Sequence, residues 1–239
     1  MKALALATLL LFLFSTAAAQ DDVAVRAAVD RLLPDAGSVR IAESPLEGIR
    51  AVTVGSRVFF VSADGGYLLG GPLIDAATGA NLSETLVADA RRRTLDEAED
   101  VPVFRYPATD AKYRVTVVTD IDCPYCRRLH NDLPAYAQAG IDVSYIMLPR
   151  AGKASASYRK TVSAACASSP EVAITAAMQG GEPETATCDN PIDEHMSLAR
   201  ELNVTSTPSI VLEDGQLVLG HKSADALLAV LRANSASKE

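Results

Sequence analysis

Tyr113-Arg114-Val115-Thr116-Val117-Val118-Thr119-Asp120-Ile121-Asp122-Cys123-Pro124-Tyr125-Cys126 decides how this chain is read. Residues 113–119 carry β-branched side chains on both faces, the pattern of a strand covered on both sides in an α/β sheet. Cys-Pro-Tyr-Cys follows at once, and a helical pattern then runs to about Gln138. Ile141 to Met147 reads as a second strand. Strand, helix and strand in that order predict a parallel βαβ unit with two cysteines at the strand-to-helix junction.

That position matters chemically. A thiolate, not a thiol, attacks a disulfide. At a helix start, unpaired backbone N–H groups and the positive end of the dipole favour the anion. Cys123 is therefore expected to be an exposed nucleophile with a lowered pKa, and Cys126, one turn on, a more buried resolving thiol. Pro124 has no N–H to lose and presets φ for the first helical position. Half of a zinc site and a purely structural bridge are the competing readings of a CxxC pair. The order of strand, CxxC and helix favours redox chemistry over both. Thr207-Pro208 stands just before the strand-like run Ser209 to Leu212, where a proline would block a ladder bond. A cis bond facing the CxxC explains it, leaving neighbouring backbone free to pair with an extended substrate; an ordinary loop proline explains it as well.

Outward from this centre, Ser155 to about Leu202 reads as mainly helical, broken at Gly180-Gly181 and Pro183. Ser209–Leu212 and Gln216–Leu219 form a hairpin around Asp214-Gly215, and Ser223 to Asn234 is a last helix. Upstream, Val23 to Leu33 is a short amphipathic helix ended by Pro34. Four strand-like runs follow: Val39–Ala42, Ile49–Val54, Arg57–Ser62 and Tyr67–Leu69. This small α+β unit has a thin core for its size. Asn81 to Asp100 reads as a connecting helix with Ser83 as N-cap candidate and Arg91-Arg92-Arg93 on a solvated face.

The N-terminus reads as a secretory signal, residues 1–19. Lys2 is followed by an apolar run from Ala3 to Phe14 and by the small residues Ala17-Ala18-Ala19, with cleavage before Gln20. The run is too short to span a bilayer, so no membrane insertion is expected. The 239 residues are 49% hydrophobic with no Trp, so the core is mainly aliphatic. A net charge of −8 and a pI near 5.0 argue against a nucleic-acid partner. Four cysteines in an oxidising compartment admit three pairings. The 123/126 pair is too close to staple a fold, whereas 166/188 closes a longer loop and reads as structural. Among the remaining candidates, His130 reads as a surface helix residue, Asp120 as a hydrogen-bonded structural carboxylate, and His195 and His221 as unrelated to metal. No cofactor motif stands out.

Taken together these residues resemble the periplasmic disulfide isomerases of Gram-negative bacteria, the DsbC/DsbG type. In the N-terminal part the resemblance rests on Asp64-Gly65-Gly66-Tyr67 and Gly70-Gly71-Pro72-Leu73-Ile74-Asp75. In the C-terminal part it rests on residues 119–126, on Leu129-His130, and on Leu202-Asn203-Val204-Thr205-Ser206-Thr207-Pro208. The resemblance implies an α/β architecture, a thioredoxin fold with a helical insertion at about 152–200. It also implies an N-terminal dimerisation domain over 20–80, a linker helix over 81–100 and a catalytic domain over 101–239. Two catalytic domains would form a V around a cleft for unfolded or misoxidised exported proteins. Cys123 and Cys126 would do the chemistry. Pro124, Tyr125, Thr207 and Pro208 would contact substrate, and Cys166–Cys188 would be a structural disulfide. A membrane thiol reductant of the DsbD type would keep the site reduced. Pro124 stands where the DsbC branch has Gly. The Pro-Tyr pair resembles the DsbG branch, which implies reduction of protein sulfenic acids with holdase activity as the alternative to isomerisation; a dithiol oxidant is the third reading. The dipeptide tunes a potential that spans about −120 to −270 mV across this fold.

Overall fold

The computed structural model describes residues 22–236; the expected signal peptide lies outside them. The chain divides into two compact units, with the boundary between Val87 and Ala88.

In the first unit, helix α1 (residues 22–32) covers one face of a four-stranded antiparallel meander: β1 (Val39–Glu43), β2 (Ile49–Val54), β3 (Arg57–Ser62) and β4 (Leu68–Gly70). Alternation along the strands sends Val52, Val54 and Val61 against Val25, Ala28 and Val29 of the helix. Gly65, at a φ of +70°, makes the turn before β4, and a Cβ there would collide with the Ala24 carbonyl of α1. The core is small, and Tyr67 and Leu69 beside the open β4 edge remain 75% and 52% exposed.

Helix α2 (Leu82–Glu97) crosses the boundary. Ser83 is not its cap. Asn81 Oδ1 accepts from the Ser83 N–H (3.1 Å), as a capping side chain does, while the Ser83 hydroxyl accepts from Leu73 N (2.7 Å) and ties the preceding loop. The helix is also more than a connector. Ala88, Ala90, Arg91 and Thr94 are buried, and Arg91 Nε donates to the Leu202 carbonyl at 3.1 Å. Of the three arginines, then, Arg91 leaves the expected solvated face because it satisfies backbone carbonyls of the second unit. Gly215 is the close approach there: a Cβ would run into the Ala88 carbonyl.

The second unit is built on a five-stranded sheet of order β5-β7-β6-β8-β9, from β5 (Phe104–Tyr106), β6 (Tyr113–Thr119), β7 (Ile141–Met147), β8 (Ser209–Leu212) and β9 (Leu217–Leu219). β6 and β7 pair in parallel, and β8 runs antiparallel to β6. β5 is an addition to the sequence reading: three residues ended by Pro107 leave no periodicity to detect, and the strand exists because it pairs with the β7 edge. The helix after the motif divides into α3 (Pro124–Asn131) and α4 (Leu133–Gln138). Pro134 near the start of α4 has no N–H to bond back, so the ladder breaks at Asp132.

Between β7 and β8 lie α5 (Ala156–Ala165), α6 (Pro170–Met178) and α7 (Ile192–Glu201); α8 (Ala224–Ala236) closes the chain. One face of the sheet packs on Leu129, Tyr136, Ile174, Met178 and Leu227, the other on Leu198, Ala199 and Leu202. Cys166, at the end of α5, is bridged to Cys188 with a Cα–Cα distance of 5.6 Å. A crosslink closing a loop of 22 residues removes about 3 kcal/mol of unfolded-state freedom in the chain-entropy account. The Cys166→Ala/Cys188→Ala double variant is therefore expected to lose about 3 kcal/mol in urea unfolding. An unchanged midpoint would show that the insertion holds without the bridge.

Candidate active site

β6 ends at Thr119 beneath the motif, and the chain turns through Asp120-Ile121-Asp122 into α3. The turn is pinned by the Cys123 N–H on the Asp120 carbonyl (3.0 Å) and the Asp122 N–H on Asp120 Oδ1 (3.0 Å). Arg127 holds it from below, donating to the Ile121 carbonyl (3.1 Å) and to Asp122 (3.0 Å). Cys123 is the N-cap residue, in extended conformation, and Pro124 follows inside the first turn. Cys126 has no exposed surface at all and accepts from the Asp120 N–H at 3.4 Å.

Opposite this helix start stands the loop before β8. The Thr207-Pro208 bond is cis. The Cys123 thiol donates to the Thr207 carbonyl at 3.4 Å, so the two segments meet at the sulfur. This contact corrects one expectation. Cys123 is only 1% exposed, because the Thr207 carbonyl lies over it. Pro124 and Tyr125 are the exposed residues of the motif, Tyr125 at 59%.

The two thiols are driven apart electrostatically. Burial opposes ionisation of Cys123, but the N–H of Cys126, the Thr207 and Cys126 side chains and the N–H of Tyr125 outweigh it, and its pKa falls below the ordinary value. At Cys126 burial wins over the Thr119 hydroxyl and the Asp120 N–H, and its pKa is pushed up to about 11. The pair holds one thiol that ionises more readily than an ordinary cysteine and one that keeps its proton more tightly. The hydroxyls of Thr119 and Thr207 are buried with no hydrogen-bond partner among the described residues. Thr207 is placed against both sulfurs and Thr119 against Cys126. A thiolate is the acceptor that these two donors lack.

Asp120 has the structural role expected of it. It is 3% exposed, accepts from Ser157 Oγ (2.7 Å), from the Arg150 N–H (3.1 Å) and from Arg150 Nε (3.0 Å). Burial raises its pKa, yet these donors together carry it below the usual carboxylate value, so it stays charged and is no reservoir of protons. Lys160 of α5 reaches Asp122 at 3.2 Å and Glu182 at 2.7 Å, tying the helical insertion to the motif turn. Arg150, Ser157 and Lys160 were not legible as site residues, because partners 30 or more positions apart leave no local signal; Arg127 and Thr119 lie within seven positions of their partners but belong to no motif that marks them.

His130 is not on the surface. It is 4% exposed, between Tyr145 OH and Thr175 Oγ1 (both 3.1 Å), and burial lowers its pKa to about 4. It is a neutral link from α3 to β7 and α6 rather than a cation tuning the thiolate. His195 is fully buried and neutral, accepting from Met147 N (3.2 Å) and donating to the Pro102 carbonyl (2.6 Å). His221 pairs with Asp132 at 2.7 Å. Among the described residues no group of three or more His, Cys, Asp or Glu is placed to hold a metal ion.

Comparison with known proteins agrees with this geometry. Residues 105–235 match the family described as Thioredoxin-like domain, and residues 16–84 match Disulfide bond isomerase protein N-terminal domain. The thiol:disulfide interchange protein DsbC of Dickeya dadantii is 34% identical over 238 residues, 99% of this chain and 97% of that one. DsbC of Escherichia coli strain K12 is 32% identical, with 89% of this chain and 88% of that one covered. Among solved structures, a disulfide interchange protein from Neisseria gonorrhoeae superposes with a TM-score of 0.50 at 28% identity, covering 55% of this chain and 94% of the other. With a helix start that separates the ionisation of two thiols, and with both halves of the chain matched, this chain belongs to the DsbC family of thiol:disulfide interchange proteins and is a thiol–disulfide isomerase.

Proposed function

We propose that this chain acts in the periplasm as a homodimeric isomerase and reductase of wrong disulfides in exported proteins, with Cys123 as nucleophile and Cys126 as resolving thiol. The observation that carries the division of labour is the opposite ionisation of the two: Cys123 lowered at a helix start, Cys126 held near 11. The Cys123 thiolate attacks one sulfur of a substrate disulfide. A Cys123–substrate bond forms, the substrate S–S bond breaks, and the other substrate sulfur leaves as a thiolate. That thiolate, or another in the substrate, attacks back on the mixed disulfide, and Cys123 is regenerated with no net electron transfer. If no such thiol arrives, Cys126 loses its proton and attacks Cys123. The substrate leaves reduced, and the Cys123–Cys126 bridge takes two electrons from a membrane thiol reductant of the DsbD type.

Pro124, Tyr125, Thr207 and Pro208 form the substrate-facing rim in this reading. The exposure of Tyr125 and the Thr207 carbonyl at the sulfur support it. To reach Cys123, a substrate strand pairs along the Thr207-Pro208 segment and displaces the thiol from that carbonyl. Reactivation of a scrambled-disulfide protein in a glutathione buffer tests the activity; no acceleration over buffer alone would overturn the isomerase reading and leave reduction of protein sulfenic acids, with holdase activity, to be tried.

The homodimer is supported by the thin core of the first unit and by apolar Tyr67 and Leu69 at its open β4 edge. The mature chain is expected to sediment at twice its monomer mass, and Leu69→Lys at the monomer mass. A monomeric wild type would remove the dimer from the proposal.

A further inference from the structure

The chain is acidic as a whole, with a net charge of −8, yet one cation stands unneutralised on the helix that starts at the thiols. Each carboxylate of the motif turn has its own counter-charge. Asp122 meets Arg127 at 3.0 Å and Lys160 at 3.2 Å, and Asp120 meets Arg150 at 3.0 Å. Arg128 is left over. It is exposed on α3 and makes no ion pair among the described residues. Its guanidinium lies 5.2 Å from the centre of the Tyr125 ring. Tyr125 is 59% exposed and adjoins Cys126, so the ring holds a positive charge at the rim that an incoming chain must cross.

An arginine stacked on an aromatic face loses less freedom on meeting a carboxylate than a free side chain does, and it keeps its fork of donors for the anion. From this arrangement, and resting on the redox function proposed above, we infer that the Tyr125–Arg128 pair reads substrate charge. It favours segments that carry an acidic residue beside the target cysteine. The sign is informative. The net charge of the whole chain favours basic segments, so a preference for acidic ones can arise only from a local cation at the site.

The probes are three short peptides of one sequence with Glu, Gln or Lys beside a single cysteine, each joined through a disulfide to a chromogenic aryl thiol. Attack by Cys123 on the peptide sulfur breaks that bond and releases the aryl thiolate, which is read by absorbance. The full mature protein in its reduced form is used. The Glu peptide is expected to react about three- to fivefold faster than the Lys peptide at low ionic strength, the scale of one exposed ion pair. The preference should vanish in about 1 M salt, where the screening length is about 3 Å. Arg128→Gln should bring the Glu-to-Lys ratio to one or below, and Arg128→Lys should retain a ratio above one. The ratio is the readout because a change in Cys123 ionisation scales all three peptides alike. A wild-type ratio of one or below, or an Arg128→Gln ratio equal to wild type, overturns the inference while leaving the redox function standing. Failure to cleave any of the three peptides overturns the redox function and the inference with it.

Discussion

Cys123→Ser is expected to reduce reactivation of a scrambled-disulfide protein to the rate of the glutathione buffer alone. A serine hydroxyl keeps the shape of the thiol but has neither the accessible anion nor the soft nucleophile that disulfide exchange requires. The variant should still fold, because the turn around residue 123 is held by backbone bonds: the 123 N–H on the Asp120 carbonyl and the Arg127 N–H on the 123 carbonyl, both 3.0 Å. Urea unfolding of the variant checks this, so that loss of activity is not mistaken for loss of structure. The same site sets a pH dependence. Alkylation of Cys123 in the reduced wild type should reach half its plateau rate below the ordinary thiol pKa. Below that midpoint the thiol is protonated and the rate falls; above it the thiolate predominates and the rate levels off. A midpoint at or above the ordinary value would mean that burial under the Thr207 carbonyl outweighs the helix-start donors. Full reactivation by Cys123→Ser would remove Cys123 from the mechanism.

Cys126→Ala is expected to accumulate a mixed disulfide between Cys123 and substrate, visible as a higher-mass species on non-reducing gels and absent after reduction. Cys126 lies one helical turn away in the same rigid element, and intramolecular attack at such a geometry is equivalent to a very high thiol concentration, ~10⁵ M in favourable cases. Removing it leaves release to substrate thiols and to dilute thiols in solution. Isomerisation needs only the substrate thiols, so it should survive in part, whereas net reduction should stop. Equal loss of both activities would place Cys126 in the attack step itself. No trapped species at all would mean that substrate thiols resolve every complex before Cys126 acts.

The strands of the second unit were legible because burial on both faces leaves a continuous β-branched pattern, and β6 and β7 fall where that pattern places them. The motif was legible for a related reason. A cysteine pair at a strand-to-helix junction is a local arrangement, and the donors that lower Cys123 are mostly the backbone of the next three residues and the neighbouring thiol. The break at Asp132 came from Pro134, a local signal masked by the apolar periodicity running through it. β5 had no such signal, since three residues become a strand only by pairing with β7.

What the sequence by itself determined, then, is the local part: the order of elements, the place of Cys123 and Cys126 at the start of a helix, and the sign of the dipole and backbone terms that favour ionisation of the first thiol. Tertiary structure alone decided how those terms are weighed. It placed the Thr207 carbonyl over Cys123 and made that sulfur 1% exposed instead of open. It buried His130 between β7 and α6, where desolvation keeps it neutral, instead of leaving it on the helix surface. It also drew Arg91 out of the solvated run and brought Arg150 to Asp120 and Lys160 to Asp122. The reason is the same in each case. Burial and charge pairing depend on which distant segments the fold brings together, and for Cys123 and Thr207 that separation is 84 residues.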